Sequence, residues 1–260
     1  MVSKALKNLY TALIFLFLYA PIIILIIYSF NESKSRGVFS GFTLRWYGEL
    51  FQNRQVMSAL SNTMIIAVVS TVVATILGTL AAIGIHFSKK GPFKQLVMNL
   101  NYLPILNPDV VIAVSLIALY RFMGLEFGLA TILLSHITFC TPYVVLAVLP
   151  KLKQMNIHLA EAAMDLGAKP HIALWKVVIP EIMPGIVTGA LLAFTLSVDD
   201  FVISFFTTGH GVQNLSILIF SMARLGVNPV INALSTFMLI GFFILLLIIN
   251  KISRTEEDTE

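Results

Sequence analysis

Three carboxylates lie in stretches of the chain that are otherwise almost entirely apolar. Asp109 follows Pro104 and Pro108, and Asp199 and Asp200 are adjacent within a long hydrophobic block. A charged carboxylate at the centre of a bilayer-spanning helix costs about 2.5 to 3.5 kcal/mol on insertion scales, so such residues usually face a cavity, a partner or a polar pathway. We hypothesise that at least one of these aspartates lines a path for a cation.

Each of these carboxylates also has a structural explanation. Asp109 could cap the helix that restarts after Pro108, because an Asp side chain accepts hydrogen bonds from the free N–H groups of a first turn. Asp199 and Asp200 could be a structural pair bonded to a helix end or to a sister subunit. Neighbouring helical residues point about 100° apart, so helix geometry alone does not let both carboxylates serve one point. The sequence leaves both explanations open.

The apolar blocks that surround the carboxylates determine the fold class. The chain is 58% hydrophobic and 12% charged, with a mean hydropathy of +0.91, whereas an average soluble domain is about 25% charged. Six blocks are long enough to span a bilayer, which takes about 20 apolar residues: 9–30, 61–86, 96–121, 128–150, 185–207 and 229–250. We predict an all-α polytopic membrane protein with six transmembrane helices, since the blocks are too continuous for barrel strands. Pro21 should kink the first helix without ending it.

Several kinds of chemistry have no basis in the sequence. Cys140 is the single cysteine, so neither a disulfide within the chain nor a cysteine metal site can form. The five histidines are scattered, and we interpret His136 as a polar contact between helices in preference to a proton relay. The phosphate-binding pattern GxxxxGK[ST] is absent from the sequence. The net charge of +4 reflects membrane topology and gives no argument for nucleic-acid binding.

The distribution of Lys and Arg predicts the orientation of the spans, because cytoplasmic loops carry an excess of both. With both termini inside, the inner segments hold most of the 17 basic residues, namely Lys4, Lys7, Lys89, Lys90, Lys94, Lys151, Lys153, Lys169, Lys176, Lys251 and Arg254. The segment between the fourth and fifth blocks is then cytoplasmic. Residues 251–260 form an acidic tail that we expect to be cytoplasmic and disordered.

The segment between the fourth and fifth blocks carries an ordered pattern of its own. Its fixed residues are Glu161-Ala162-Ala163, Gly167 after three residues, Val177 after nine, and Ile179-Pro180 after one. Helical spacing predicts a short helix over 157–166 that Gly167 ends in the left-handed conformation. Lys169-Pro170 then permits a second helix over 171–178, which Pro180 and Pro184 are expected to end. Two short helices bent about a glycine would make a compact knob.

This pattern resembles the EAA loop in the membrane subunits of ATP-binding-cassette (ABC) importers: Glu-Ala-Ala, three residues, Gly, nine residues, Ile, one residue, Leu-Pro. The resemblance implies a type I importer permease with five core helices over 61–250 and one additional N-terminal helix. Residues 1–60 would hold that helix and an extracytoplasmic loop. The coupling loop would be 151–184, and Glu161, Ala162, Ala163, Gly167 and Pro180 would dock it on an ATPase subunit.

Four further stretches resemble the polyamine (spermidine/putrescine) branch of these permeases: 42–47, 107–109, 135–139 and 195–200. The resemblance implies a chain without catalytic residues, metal or cofactor, working in the bacterial cytoplasmic membrane. Its partners would be an ATP-binding subunit dimer that carries ATP and Mg²⁺, a sister permease and an extracytoplasmic substrate-binding protein. Related branches import iron, sulfate, phosphonates or thiamine and share the loop.

An ion-driven secondary transporter is the main alternative, with Asp199, Asp200 and His136 carrying the coupling ion. Such transporters are often built from internal repeats, and we find none in this sequence. An intramembrane enzyme would need a metal cluster or a nucleophile–base motif, and the sequence offers neither.

Overall fold

The computed structural model of the chain describes residues 4–34, 38–156, 158–209, 211–225 and 229–257. Within these ranges nearly all residues are helical, and the β pairing they contain is an isolated bridge between Asn31 and Phe42. The chain divides into two compact units. One comprises Met1–Met57 with Leu218–Glu260, and the other comprises Ser58–Ile217.

The helices follow one another along the chain with short connections. The first unit contains α1 (Lys4–Ser29), α2 (Arg45–Gln52) and α13 (Pro229–Glu257), while α3 (Arg54–Phe87) and α12 (Leu215–Leu225) each run from one unit into the other. The second unit holds the remaining elements: α4 (Pro92–Leu106), α5 (Asp109–Phe122), α6 (Leu129–Gln154), α7 (His158–Asp165), α8 (Pro170–Ala173), a π turn (Leu174–Val178), α9 (Ile179–Glu181), α10 (Met183–Asp199) and α11 (Val202–Thr207).

In the first unit, hydrogen bonds tie the chain after α1 into a fixed turn. Asn31 is the centre of this turn: its side-chain amide donates to the Val38 carbonyl at 2.9 Å. The carbonyl of Asn31 accepts a 2.7 Å bond from the indole N–H of the buried Trp46. Helix α2 packs against α13, where Phe51 and Phe237 meet edge to face with ring centroids 5.5 Å apart. The turn therefore gives α2 a defined start after the first helix.

In the second unit, the main packing is that of α10 on α6. Helices α3 and α10 both approach α6 at Val144, which is fully buried. A Cβ added to Gly78 would lie 2.6 Å from the Val144 Cβ, and one added to Gly189 would lie 3.1 Å from Val144 Cγ1. Small residues at such contacts let helix backbones come close together inside a membrane, where dispersion forces drive much of the association.

Three described helices are long and apolar enough to cross a membrane: Leu6–Ser29, Arg54–Phe87 and Leu129–Gln154. They contain three of the predicted spans, and the first runs through Pro21 without a break. Two bent helix pairs bring the number to five if each pair is one span, and Pro229–Ile244 is a shorter apolar helix. The all-helical membrane class is confirmed, while the count of six spans stays a prediction.

Two predicted spans are broken in the structure. The block 96–121 consists of α4 and α5, which are bent by 111° at a break before Asp109. The block 185–207 consists of α10 and α11, separated at Asp200 and Phe201. Hydropathy does not distinguish one long helix from two short ones of equal apolarity. Pro108 explains the first break, since a residue before proline avoids the α conformation.

The C-terminal part of the described chain is also more helical than predicted. Helix α12 was not expected, because it is shorter than a span and lies between two of them. Helix α13 continues to Glu257, so the backbone of residues 251–257 is helical and the predicted disorder is wrong there. Extending an existing helix adds one hydrogen bond per residue without a new nucleation step, and no Gly or Pro follows residue 250 to end it. Residues 258–260 lie outside the described residues.

The contact at Val144 predicts different outcomes for two glycines of α3. Gly78→Ala should destabilise the protein by about 1 to 3 kcal/mol, because the added methyl group overlaps Val144 in a packed interior. Gly84→Ala is the matched control, since a Cβ there meets nothing within 4 Å. We expect a lower melting temperature of the purified membrane complex for the first variant and an unchanged or higher one for the second. Equal melting temperatures for both variants would contradict the packing described.

Candidate functional site

The first half of loop 151–184 is a capped helix. Helix α7 ends at Asp165, and Gly167 follows with a φ of +91°. The N–H of Gly167 donates to the Met164 carbonyl at 2.9 Å, and the N–H of Ala168 donates to the Ala163 carbonyl at 3.1 Å. These two bonds form a Schellman C-cap, which requires a left-handed residue where Gly167 stands. The predicted role of Gly167 in ending this helix is confirmed; Ile157, where the predicted helix began, lies outside the described residues.

The second half of the loop begins as predicted but ends later. Lys169 is the N-cap residue of α8, and Pro170 occupies its first turn. The helix continues through the π turn, in which the N–H of Ile179 donates to the Leu174 carbonyl. The prediction that Pro180 ends the helix is wrong, because helical geometry continues to Glu181. A π turn has bonds over five residues, so its wider backbone accommodates a proline that would clash in a regular α-helix.

The loop has one buried side and one exposed side. Ala160, Ala173, Val178 and Ile182 are buried, and all but Ala173 belong to the core cluster of the second unit. The opposite side carries exposed Leu166, Trp175, Met164, Glu161 and Pro180. Glu161 Oε2 lies 2.8 Å from Nδ1 of His158, one turn earlier and also exposed. The residues between 158 and 181 that the structure describes thus form a knob fixed to the core, with apolar side chains facing outward.

A second arrangement of polar residues lies at the break between α10 and α11. The side chain of Asp200 is 6% exposed, and its two oxygens accept hydrogen bonds from the N–H groups of Ile203 at 3.1 Å and Ser204 at 2.7 Å. These are first-turn donors of α11, which have no partner within the helix. Asp200 therefore caps α11, which is the structural explanation for one carboxylate of the pair.

His136 of α6 contacts both sides of this break. Its ring is 1% exposed, with Nδ1 2.7 Å from Ser197 Oγ on α10 and Nε2 2.9 Å from Ser204 Oγ on α11. The same Nε2 lies 3.4 Å from Oδ2 of Asp200. Asn214 donates from its side chain to Ser204 Oγ at 2.8 Å. The interpretation of His136 as an interhelical contact agrees with this geometry.

The other two carboxylates lie elsewhere. Asp199 is the last residue of α10 and is exposed, although it is next to the buried Asp200. Asp109 is exposed in the first turn of α5, whose N-cap residue is Pro108 and which has no side-chain capping bond. Its negative charge is still favourable at a helix N-terminus. The break therefore separates the acidic pair into one buried and one exposed carboxylate.

Several members of the buried network could not be identified from the sequence. Ser197 and Ser204 are 61 and 68 residues from His136, and Asn214 lies beyond the last residue of α11. The signal that could have found them is the series of small polar residues within an apolar block. Among the residues that the structure describes, no three His, Cys, Asp or Glu side chains come together in a way that could hold a metal ion.

Comparison with known proteins assigns the family. Residues 74–254 match the family of binding-protein-dependent transport system inner membrane components. The chain belongs to this family. The match includes the knob, the broken α10–α11 pair and all three aspartates, so these features lie within a transport permease subunit.

Two relatives extend the similarity over nearly the whole permease. The chain is 37% identical over 255 residues to the spermidine/putrescine transport system permease protein PotC of Escherichia coli K12, covering 98% of this chain and 96% of that protein. It is 42% identical over 235 residues to the putrescine transport system permease protein PotI of the same strain, covering 86% and 82%.

A solved structure supports the fold of the permease. The similarity is to a bacterial ABC transporter involved in the import of the acidic polysaccharide alginate, with a TM-score of 0.75, 16% sequence identity and coverage of 96% of this chain and 98% of the other. The fold class predicted from the sequence, a type I ABC importer permease, is confirmed. Family membership favours this interpretation over an ion-driven secondary transporter.

The two aspartates at the break should respond differently to removal of their carboxylates. Asp200→Ala leaves two N–H groups of α11 without an acceptor and should destabilise the permease by about 1 to 3 kcal/mol. Asp199→Ala removes an exposed carboxylate and should leave the melting temperature of the purified complex unchanged within error. A larger loss for Asp199→Ala than for Asp200→Ala would contradict the assigned cap.

Proposed function

We propose that this permease is the membrane subunit of an ATP-driven ABC importer for polyamines of the spermidine and putrescine class. The observation that carries the proposal is the knob, a capped helical surface fixed to the core and lying in the pattern Glu161-Ala162-Ala163 to Gly167. Relatives named for spermidine and putrescine transport match 86% or more of the chain and support the substrate class.

In this proposal the knob transmits the motion of a separate ATPase subunit. The outward Leu166 and Trp175 supply apolar area for docking, and buried Val178 and Ile182 join the knob to the core. The chain turns by 68° between Pro170–Glu181 and α10, so displacement of the knob is passed directly to α10. Type I motion of this kind is a rigid-body change between two packed states, not a gradual deformation.

ATP hydrolysis would take place on the partner. The sequence has no phosphate-binding GxxxxGK[ST] loop, so ATP and Mg²⁺ are expected on the ATPase dimer, and this chain contributes no catalytic group. A complete pathway would need a sister permease and an extracytoplasmic substrate-binding protein. With both termini inside, the basic residues place the knob on the cytoplasmic side.

The substrate pathway in this proposal includes Asp199 and Asp109. Both carboxylates are exposed in the single chain, and both lie at the end of a helix within an apolar region. A polyamine carries several ammonium groups, which favour desolvated carboxylates along their path. Asp200 is excluded from contact with the substrate in this arrangement, because its oxygens are occupied by backbone donors.

The coupling role predicts a specific defect in Gly167→Asp. Uptake of labelled spermidine and putrescine by cells that contain the whole importer should fall at least about tenfold, because a left-handed Asp strains the cap and puts a charge on the docking surface. Gly124→Asp is the matched control, as Gly124 also has a positive φ of +67° with nothing within 4 Å of a Cβ but lies outside the loop. Unimpaired uptake by Gly167→Asp at equal membrane levels would reject the coupling role.

The pathway role predicts that Asp199→Asn lowers polyamine uptake about tenfold without loss of assembly, since the change removes a charge and keeps the shape. Glu49→Gln neutralises an exposed carboxylate that is already paired with Arg45 at 2.7 Å, and it should transport normally. The measurement is initial uptake rate beside ATPase activity of the purified complex. If the unaltered complex assembles and hydrolyses ATP but imports neither polyamine, the proposed substrate class is wrong.

A further inference from the structure

We infer that His136 is a positioning residue for transport, which fixes the rotation of α10 and so holds the Asp199 carboxylate outside the buried network. The inference rests on the proposed pathway role of Asp199. It assigns to His136 no contact with the substrate. The contacts that carry it are those of the imidazole ring with Ser197 on one side of the helix break and with Ser204 on the other.

The rotation of α10 follows from the bond to Ser197. Residues two apart on an α-helix point about 200° from each other, which is nearly opposite. Ser197 is 1% exposed and is held at 2.7 Å from His136 Nδ1 on α6. Asp199 must therefore point away from α6, and it is exposed. Without this bond, the last turn of α10 would be free to rotate and would carry Asp199 with it.

The other side of the break is fixed by the same ring. His136 Nε2 contacts Ser204 Oγ at 2.9 Å, and Ser204 also accepts a bond from Asn214 at 2.8 Å. The backbone N–H of Ser204 donates to Asp200 at 2.7 Å. The ring thus connects α6 to the elements on both sides of the break. A polar network that is fully bonded in an apolar interior is rigid, because each lost bond leaves an unsatisfied group. The break is therefore a fixed elbow and not a free hinge.

A fixed elbow has a direct consequence for a cation pathway. A carboxylate attracts a passing ammonium group most strongly when it is held at one place, because no free energy is then spent on orienting it when the cation arrives. His136 supplies this order from behind the helix. The residue that orients and the residue that attracts are thus separate, and they lie on opposite sides of α10.

The experiment measures the position of residue 199 by its reactivity. The variant Asp199→Cys is placed in the assembled complex, and a charged methanethiosulfonate reagent labels it while the band of this chain is followed. Cys140 can stay, because it is fully buried, and the chain without the added cysteine gives its background. The labelling rate is then compared between Asp199→Cys alone and the same chain with Ser197→Ala.

Two further variants serve as matched comparisons. Thr195→Ala removes an exposed hydroxyl from the same helix, which bonds only to the Leu191 carbonyl of its own helix at 2.8 Å. Ser197→Thr keeps a hydroxyl at the contact with His136. His136→Ala removes the whole contact; if that chain does not assemble, the Ser197 variants decide, since each alters a single side chain by a few atoms.

We expect Ser197→Ala and His136→Ala to lower the labelling rate on the order of threefold to tenfold, the range that one buried hydrogen bond supplies. Thr195→Ala should leave the rate unchanged, and Ser197→Thr should restore most of it. Equal rates in all variants would overturn the positioning role, whatever the uptake. Failure of the unaltered complex to import polyamines would overturn the proposed function and would leave the labelling result to be judged by itself.

Discussion

The structure depends on the need to satisfy one buried carboxylate without water. Asp200 lies in an apolar bundle, where an unpaired charge would be prohibitively costly, and the helix break at this residue supplies the donors that it needs. The relation is reciprocal: the break exposes N–H groups that only a nearby acceptor can satisfy. His136 then joins the acceptor to α6. The polar network and the bend of the chain are thus two parts of one solution.

The extent to which the sequence predicts this arrangement differs between local and distant features. The cap at Gly167 was predictable, because a left-handed residue after a short helix depends on that residue alone. Pro180 misled, since the π turn that accommodates it depends on the packing of the loop against the core. The long apolar block 185–207 predicted membrane residence correctly and continuity wrongly, because a buried Asp that caps a new helix has no hydropathy signature. The partners of His136 are set by the fold and are therefore absent from any local pattern.

The knob and the elbow lie at opposite ends of α10. The loop joins the beginning of this helix through Ile182, and the network at Ser197 and Asp200 holds its end. Between them the helix packs closely on α6 along Gly185 and Gly189. Such a rod, anchored at both ends, moves as a unit with its neighbour. This is the mechanical property that a lever needs, and it does not depend on the identity of the substrate.

The contact at Val144 links three positions into one unit of size. Its side chain fills the space that a Cβ would occupy at both Gly78 and Gly189, on two different helices. A larger residue at 144 would push two helices away at once, and a larger residue at either glycine would require a smaller one at 144. Single changes at these sites are therefore nearly closed to drift, whereas paired exchanges remain accessible. A redesign that alters the volume of this bundle would have to vary the three residues together.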